Sequence, residues 1–219
     1  MIINVDEALR YLGAAGASDA LWKDVERVAQ ELEETVTPRS TYHDFDCIET
    51  ADGFQLPAAN LSLNGGLAKK MLSGCSRVIL LCCTLGEAFD ALLRAAQARD
   101  MARAVMLDAC GSAYVEAACD MAEKAIAARH PGQYLTDRFS PGYGDLPLSL
   151  QPQLLQTLDA PRRVGVTCTD SFLMIPAKSV TAVIGLSDTP RSSRIRGCAF
   201  CSMRDHCPYR KGGKACDHP

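Results

Sequence analysis

Arg138-Phe-Ser-Pro-Gly-Tyr-Gly-Asp-Leu-Pro147 (RFSPGYGDLP) gathers two prolines, two glycines, an arginine and two aromatic residues into ten positions. Proline fixes one backbone dihedral, and the glycine that follows admits positive φ and lets a ligand come close to main-chain amides. Arg138 offers a fork that matches a carboxylate, and Tyr143 offers a ring face to an adenine or a cation. By residue type alone the stretch reads as a binding loop or, equally, as a tight turn with Arg138 on the surface and Tyr143 in packing.

Working outward, Leu148 to Leu158 predicts a short helix with a proline near its first turn, where a missing N–H costs little. Arg163–Cys168 and Ser179–Leu186 are rich in Val, Thr and Ile and predict strands, with Pro176 at a bend between them. On the other side, no proline interrupts the alanine-rich run from Asp100 to His130, which predicts one long helix with Gly111 as its weak point. Asp108, Ser112, Glu116 and Asp120 fall at i, i+4 spacing along it, a pattern that reads first as a solvated face and second as a stripe open to a cationic ligand.

Arg77–Thr84 (RVILLCCT) is a continuous apolar run, as expected of a buried strand, and Tyr42–Glu49 alternates weakly. Helices are expected over 5–14, 19–36, 66–73 and 87–98, the second capped by Ser18 and ended by Pro38. Helices at the front with strands later, and no regular β-α alternation, favour an α+β architecture over a doubly wound one.

A length of 219 residues with 47% hydrophobic content suits one main domain, taken as residues 1–190, and a small appendage. From Ser187 the chain turns Ser/Arg-rich (SDTPRSSRIRG), so residues 191–219 read as a linker and a Cys-rich tail. A net charge of −3 argues against a general nucleic-acid binder. The opening MIINVDEALR carries neither a secretory signal nor a membrane span, which makes a cytoplasmic protein the expectation.

In a reducing compartment eleven cysteines point to metal or redox chemistry rather than disulfides. Seven of them, Cys47, Cys75, Cys82, Cys83, Cys110, Cys119 and Cys168, read as small core hydrophobes. Cys198, Cys201, Cys207 and Cys216 are different, because their spacing, C-x2-C-x5-C-x8-C, lets four thiolates converge on one metal centre. An iron-sulfur cluster (4Fe-4S) is favoured over zinc, since the set lacks two short paired knuckles and contains a Cys207-Pro208 step.

Arg138-Phe-Ser-Pro-Gly-Tyr143, together with Thr169-Asp-Ser-Phe-Leu-Met-Ile-Pro-Ala-Lys-Ser-Val180, resembles the S-adenosylmethionine-binding activation domain of cobalamin-dependent methionine synthase, in order and in separation. The resemblance implies a mixed or antiparallel twisted sheet with flanking helices. It also implies that Arg138, Ser140, Gly142 and Tyr143 bind S-adenosylmethionine, with Glu116 a candidate for a family carboxylate that touches the ligand. The chain departs from the family's long form at Gly144-Asp-Leu-Pro147, where no histidine stands, and it lacks the D-x-H-x-x-G loop that holds cobalamin. Cobalamin would come from a partner, a corrinoid protein or a cobalamin-dependent methionine synthase. The function so implied is reductive reactivation of that methyltransferase, with the electron from a flavodoxin, a ferredoxin or the tail cluster. The alternative is a non-catalytic corrinoid-protein adaptor with a structural zinc tail.

Overall fold

A computed structural model of the chain describes residues 2–14 and 16–190. Two helices lead, α1 (Val5–Tyr11) and α2 (Asp19–Thr35). Asn4 and Ser18 cap them by accepting from the Glu7 and Leu21 amides. Helix α1 is shorter than expected because the amides of Gly13 and Ala14 turn back to the carbonyls of Arg10 and Leu9.

Strand β1 (Arg39–Asp46) follows, then a three-stranded meander of β2 (Ile48–Glu49), β3 (Gly53–Leu56) and β4 (Leu61–Asn64). Helix α3 (Gly66–Leu72) leads into β5 (Arg77–Thr84), and α4 (Gly86–Arg99) and α5 (Met101–Arg129) come next. The short strand β6 (Tyr134–Leu135) precedes the RFSPGYGDLP segment. After it lie α6 (Gln151–Thr157), α7 (Ala160–Arg163), the two-residue strands β7 (Thr167–Cys168) and β8 (Met174–Ile175), and β9 (Ser179–Ser187).

The main sheet has the order β1-β5-β9-β6, and every pairing in it is antiparallel. Alternate residues of β5 explain its unbroken apolar sequence. Ile79, Leu81 and Cys83 enter a core shared with α1, α2, α4 and α5, while Val78, Leu80 and Cys82 enter a second core shared with the meander, α3 and α6. The architecture is thus α+β, with an antiparallel sheet between a helical layer and a mixed layer.

Three local expectations change. The predicted strand over 163–168 is mostly something else: Pro161 sits in the first turn of α7, Val164 and Val166 are buried without ladder partners from a main strand, and only Thr167–Cys168 pairs, with β8. The meander was not expected, although Phe54, Leu56, Leu61 and Leu63 alternate with polar neighbours and are all fully buried. Helix α5 runs unbroken through Gly111, because that residue makes room for the buried Phe89 of α4.

The seven cysteines within the described residues are free thiols. Cys75, Cys82, Cys83, Cys110 and Cys119 are buried, while Cys47 and Cys168 are half-buried. Burial pushes the thiols of Cys82 and Cys110 up to about 12, which keeps them protonated and inert at neutral pH. Among the described residues no helix is long and apolar enough to cross a membrane.

Candidate functional site

After α5 the chain runs antiparallel to β9. The Thr136 amide donates to the Gly185 carbonyl at 2.9 Å, and Phe139 and Val183 exchange both backbone hydrogen bonds, at 3.0 and 2.7 Å. Neighbouring side chains on such a segment face opposite ways. Phe139 fills the second core, and Arg138 is delivered to the helical face, against α5.

There Arg138 is only 6% exposed. Its Nη2 meets Glu116 Oε2 at 2.5 Å, and its Nη1 meets Asp120 Oδ1 at 2.6 Å and Glu123. The three acids sit at i, i+4 and i+7 and share one helix face. Burial alone would lower the guanidinium's pKa, but the neighbouring anions, Glu123 foremost, outweigh it and raise the value, so Arg138 stays charged.

Lys178, from the second motif, reaches the same stripe two turns earlier, with Nζ 2.9 Å from Asp108 Oδ1 and 2.8 Å from Ser112 Oγ. Its backbone is held at the β5–α4 junction: the Leu85 amide donates to the Lys178 carbonyl, and the Ser179 hydroxyl donates to Thr84 Oγ1. Asp108, Ser112, Glu116 and Asp120 are therefore not simply a solvated face. They are the line on which the two sequence motifs converge. Tyr11 of α1 lies beside this line as well, and burial followed by the Glu116 charge raises its phenol pKa.

Past Arg138 the chain makes a compact turn. Ser140 is half-buried, Gly142 is exposed at φ +91°, where only glycine is unstrained, and the Tyr143 ring is 54% exposed. The amides expected to face a ligand are used within the turn: Gly142 N–H donates to the Leu146 carbonyl at 2.8 Å and Tyr143 N–H to the Ser140 carbonyl at 3.0 Å. Ser140, Gly142 and Tyr143 thus offer carbonyls, a hydroxyl and a ring rather than a row of free donors.

The role of Asp145 was not foreseen. Its carboxylate accepts from the Gly66 and Leu67 amides at 2.5 and 3.0 Å, tying the turn to the start of α3, and these amides, Leu67 first, lower its pKa. A group whose pKa is lower folded than unfolded lends stability above the unfolded value and loses it as pH falls through the folded one. Asp145→Ala is expected to speed hydrogen exchange at the Gly142, Tyr143 and Leu146 amides at neutral pH. The wild-type chain should show the same loosening only in acid, below the ordinary carboxylate range, as two-dimensional NMR would record.

The metal-ligand candidates Cys198, Cys201, Cys207 and Cys216 lie outside the described residues, among which no three or more His, Cys, Asp or Glu side chains are arranged to hold a metal ion. Two cavities, of about 220 and 380 Å³, lie by Val28, Leu32 and Leu92 and by Arg39, Gly86 and Gly165, and neither is lined by Arg138, Ser140, Gly142 or Tyr143.

Comparison with curated proteins finds no match. Among solved structures, a crystal structure of the MetH reactivation domain bound to AdoHcy is similar at a TM-score of 0.63 and 18% identity, covering 92% of this chain and 74% of that one, a likeness of fold. The family model for the vitamin B12 dependent methionine synthase activation domain matches residues 58–196, a span that contains both motifs, α5 with its acidic stripe, and all of β9. With well over half of its length so matched, this chain belongs to the vitamin B12 dependent methionine synthase activation-domain family.

Proposed function

We propose that this chain binds S-adenosylmethionine and serves the reductive reactivation of a partner corrinoid methyltransferase such as methionine synthase. The observation that carries this reading is the convergence of both family motifs, through Arg138 and Lys178, on one acidic stripe of α5. The donor set suits the ligand. Arg138 matches the amino-acid carboxylate, and the carboxylates of Glu116, Asp120 and Glu123 outnumber the guanidinium, leaving negative charge for the ammonium and sulfonium groups.

Ser140, Gly142 and Tyr143 would position the nucleoside beside that charge. No side chain is asked to move a proton, because the sulfonium is a good leaving group. The chain's share is binding and orientation. When supplied by the partner and reduced by one electron, the corrinoid cobalt is the nucleophile that takes the methyl group and leaves S-adenosylhomocysteine.

The tail cysteines, Cys198, Cys201, Cys207 and Cys216, would hold an iron-sulfur cluster that passes the electron, in place of or in series with a flavodoxin or ferredoxin. A second reading, a non-catalytic corrinoid-protein adaptor with a zinc tail, draws support from the saturation of Arg138 by the chain's own acids. The test is to mix the full chain, a corrinoid methyltransferase stalled as cob(II)alamin, a reductant and S-adenosylmethionine labelled in its methyl group. Label in methylcobalamin that depends on this chain supports reactivation, and docking without label transfer supports the adaptor.

A further inference from the structure

Arg138 has four terminal N–H bonds, and all four are engaged. Nη1 serves Asp120 and Glu123, and Nη2 serves the Glu116 carboxylate at 2.5 Å and, weakly, the Glu116 carbonyl at 3.5 Å. A ligand carboxylate that pairs with these terminal nitrogens must displace one of the acceptors. The carbonyl is fixed in the backbone of α5. The three carboxylates differ in their access to water: side-chain exposure is 20% for Glu123, 33% for Glu116 and 53% for Asp120. The most exposed acid costs least to leave unpaired, because water already reaches it, and an aspartate on a helix has the shortest tether with which to compete.

We infer that Asp120 is a resident competitor, holding the place on Arg138 Nη1 that a ligand's carboxylate takes, so that it sets affinity and selectivity for carboxylate-bearing ligands. Glu116 and Glu123 hold the guanidinium in place from the more sheltered sides. This inference rests on the proposed S-adenosylmethionine site. It adds that the site of the free chain is closed by its own side chain and opens by exchange of one carboxylate for another.

The experiment compares S-adenosylmethionine with decarboxylated S-adenosylmethionine on the full-length chain and on Asp120→Asn and Asp120→Ala, by equilibrium binding. Using the pair separates exchange from bulk charge. Loss of an anion by itself weakens attraction for both cationic ligands, and more for the decarboxylated one, so the sign of the change in S-adenosylmethionine affinity decides: only loss of a competitor makes the carboxylate-bearing ligand bind more tightly while the decarboxylated one does not.

S-adenosylmethionine should bind both variants about 5- to 10-fold more tightly than it binds the wild-type chain, the size of one part-exposed charge-assisted contact, while decarboxylated S-adenosylmethionine gains nothing. Unchanged or weaker S-adenosylmethionine binding in the variants, or an equal gain for both ligands, while the wild-type chain binds S-adenosylmethionine, overturns the role of Asp120 and leaves the proposed site standing. Absence of S-adenosylmethionine binding in every chain overturns both. Asp120→Asn keeps the side-chain shape, so a thermal melt matching wild type certifies it even if Asp120→Ala is less stable.

Discussion

Replacement of Arg138 by Met is expected to lower the unfolding free energy by about 3 kcal/mol, the low end of the range for breaking a buried ion pair. The reason is what remains behind. Glu116, Asp120 and Glu123 would face one another on a single helix face with no cation between them. The low end applies because Asp120 and Glu116 reach water and can turn outward. For a chain of this size the melting temperature should fall by roughly 6 to 12 °C. Arg138→Lys keeps one charge but has no planar fork, so it cannot serve acceptors on both terminal nitrogens and should fall between wild type and Met. Urea unfolding of the three chains checks the order. A Lys variant as stable as wild type would show that the fork is dispensable, and one no more stable than Met would show that charge without the fork contributes nothing.

Gly111→Ala is expected to destabilise by about 2 kcal/mol, as overpacking outweighs the gain of about 1 kcal/mol that alanine normally brings to a helix interior. A β-carbon at this position would overlap Phe89 Cζ and Cε2, and Phe89 is fully buried in the helical core, with little room to yield. The melting temperature should drop by roughly 4 to 8 °C. A double-mutant cycle tests the cause. Phe89→Leu trims the ring, so the pair Gly111→Ala with Phe89→Leu should be less destabilised than the sum of the two single changes. Simple additivity would place the strain elsewhere.

How far the sequence could be read depended on whether the deciding contact was local. Arg77–Thr84 declared a buried strand because burial on both faces demands an unbroken apolar run, and the absence of proline from 100 to 130 declared one helix. Propensity alone flagged Gly111 as a weak point. Its partner is Phe89, twenty-two residues earlier, and no local rule supplies that contact. Val164 and Val166 imitate a strand because a core position and a ladder position attract the same residue types. The meander's pairs Phe54/Leu56 and Leu61/Leu63 did carry the period-two signal, but over four-residue strands it is too short to stand out from loop.

The site shows the same limit. The loop of Arg138, Ser140, Gly142 and Tyr143 was legible from residue types and family order, and the i, i+4 acids on α5 were visible as a row. That the row receives Arg138 and Lys178 follows only once β9 fixes the register of the segment before the loop. Glu123 continues the row one turn past Asp120 and could have been found by extending the helical spacing to i+7 from Glu116. Asp145 could not, because its partners are amides of α3 nearly eighty residues away.

The central claim is that Arg138, freed from one of its acids, grips the carboxylate of S-adenosylmethionine. Isothermal titration of the full-length chain with S-adenosylmethionine tests this most directly, repeated on Arg138→Lys and Arg138→Met at a temperature where each is folded. The account predicts one saturable site in the wild-type chain, weakened in Lys and lost in Met. Equal binding in all three chains, or no heat of binding in any of them, would contradict it.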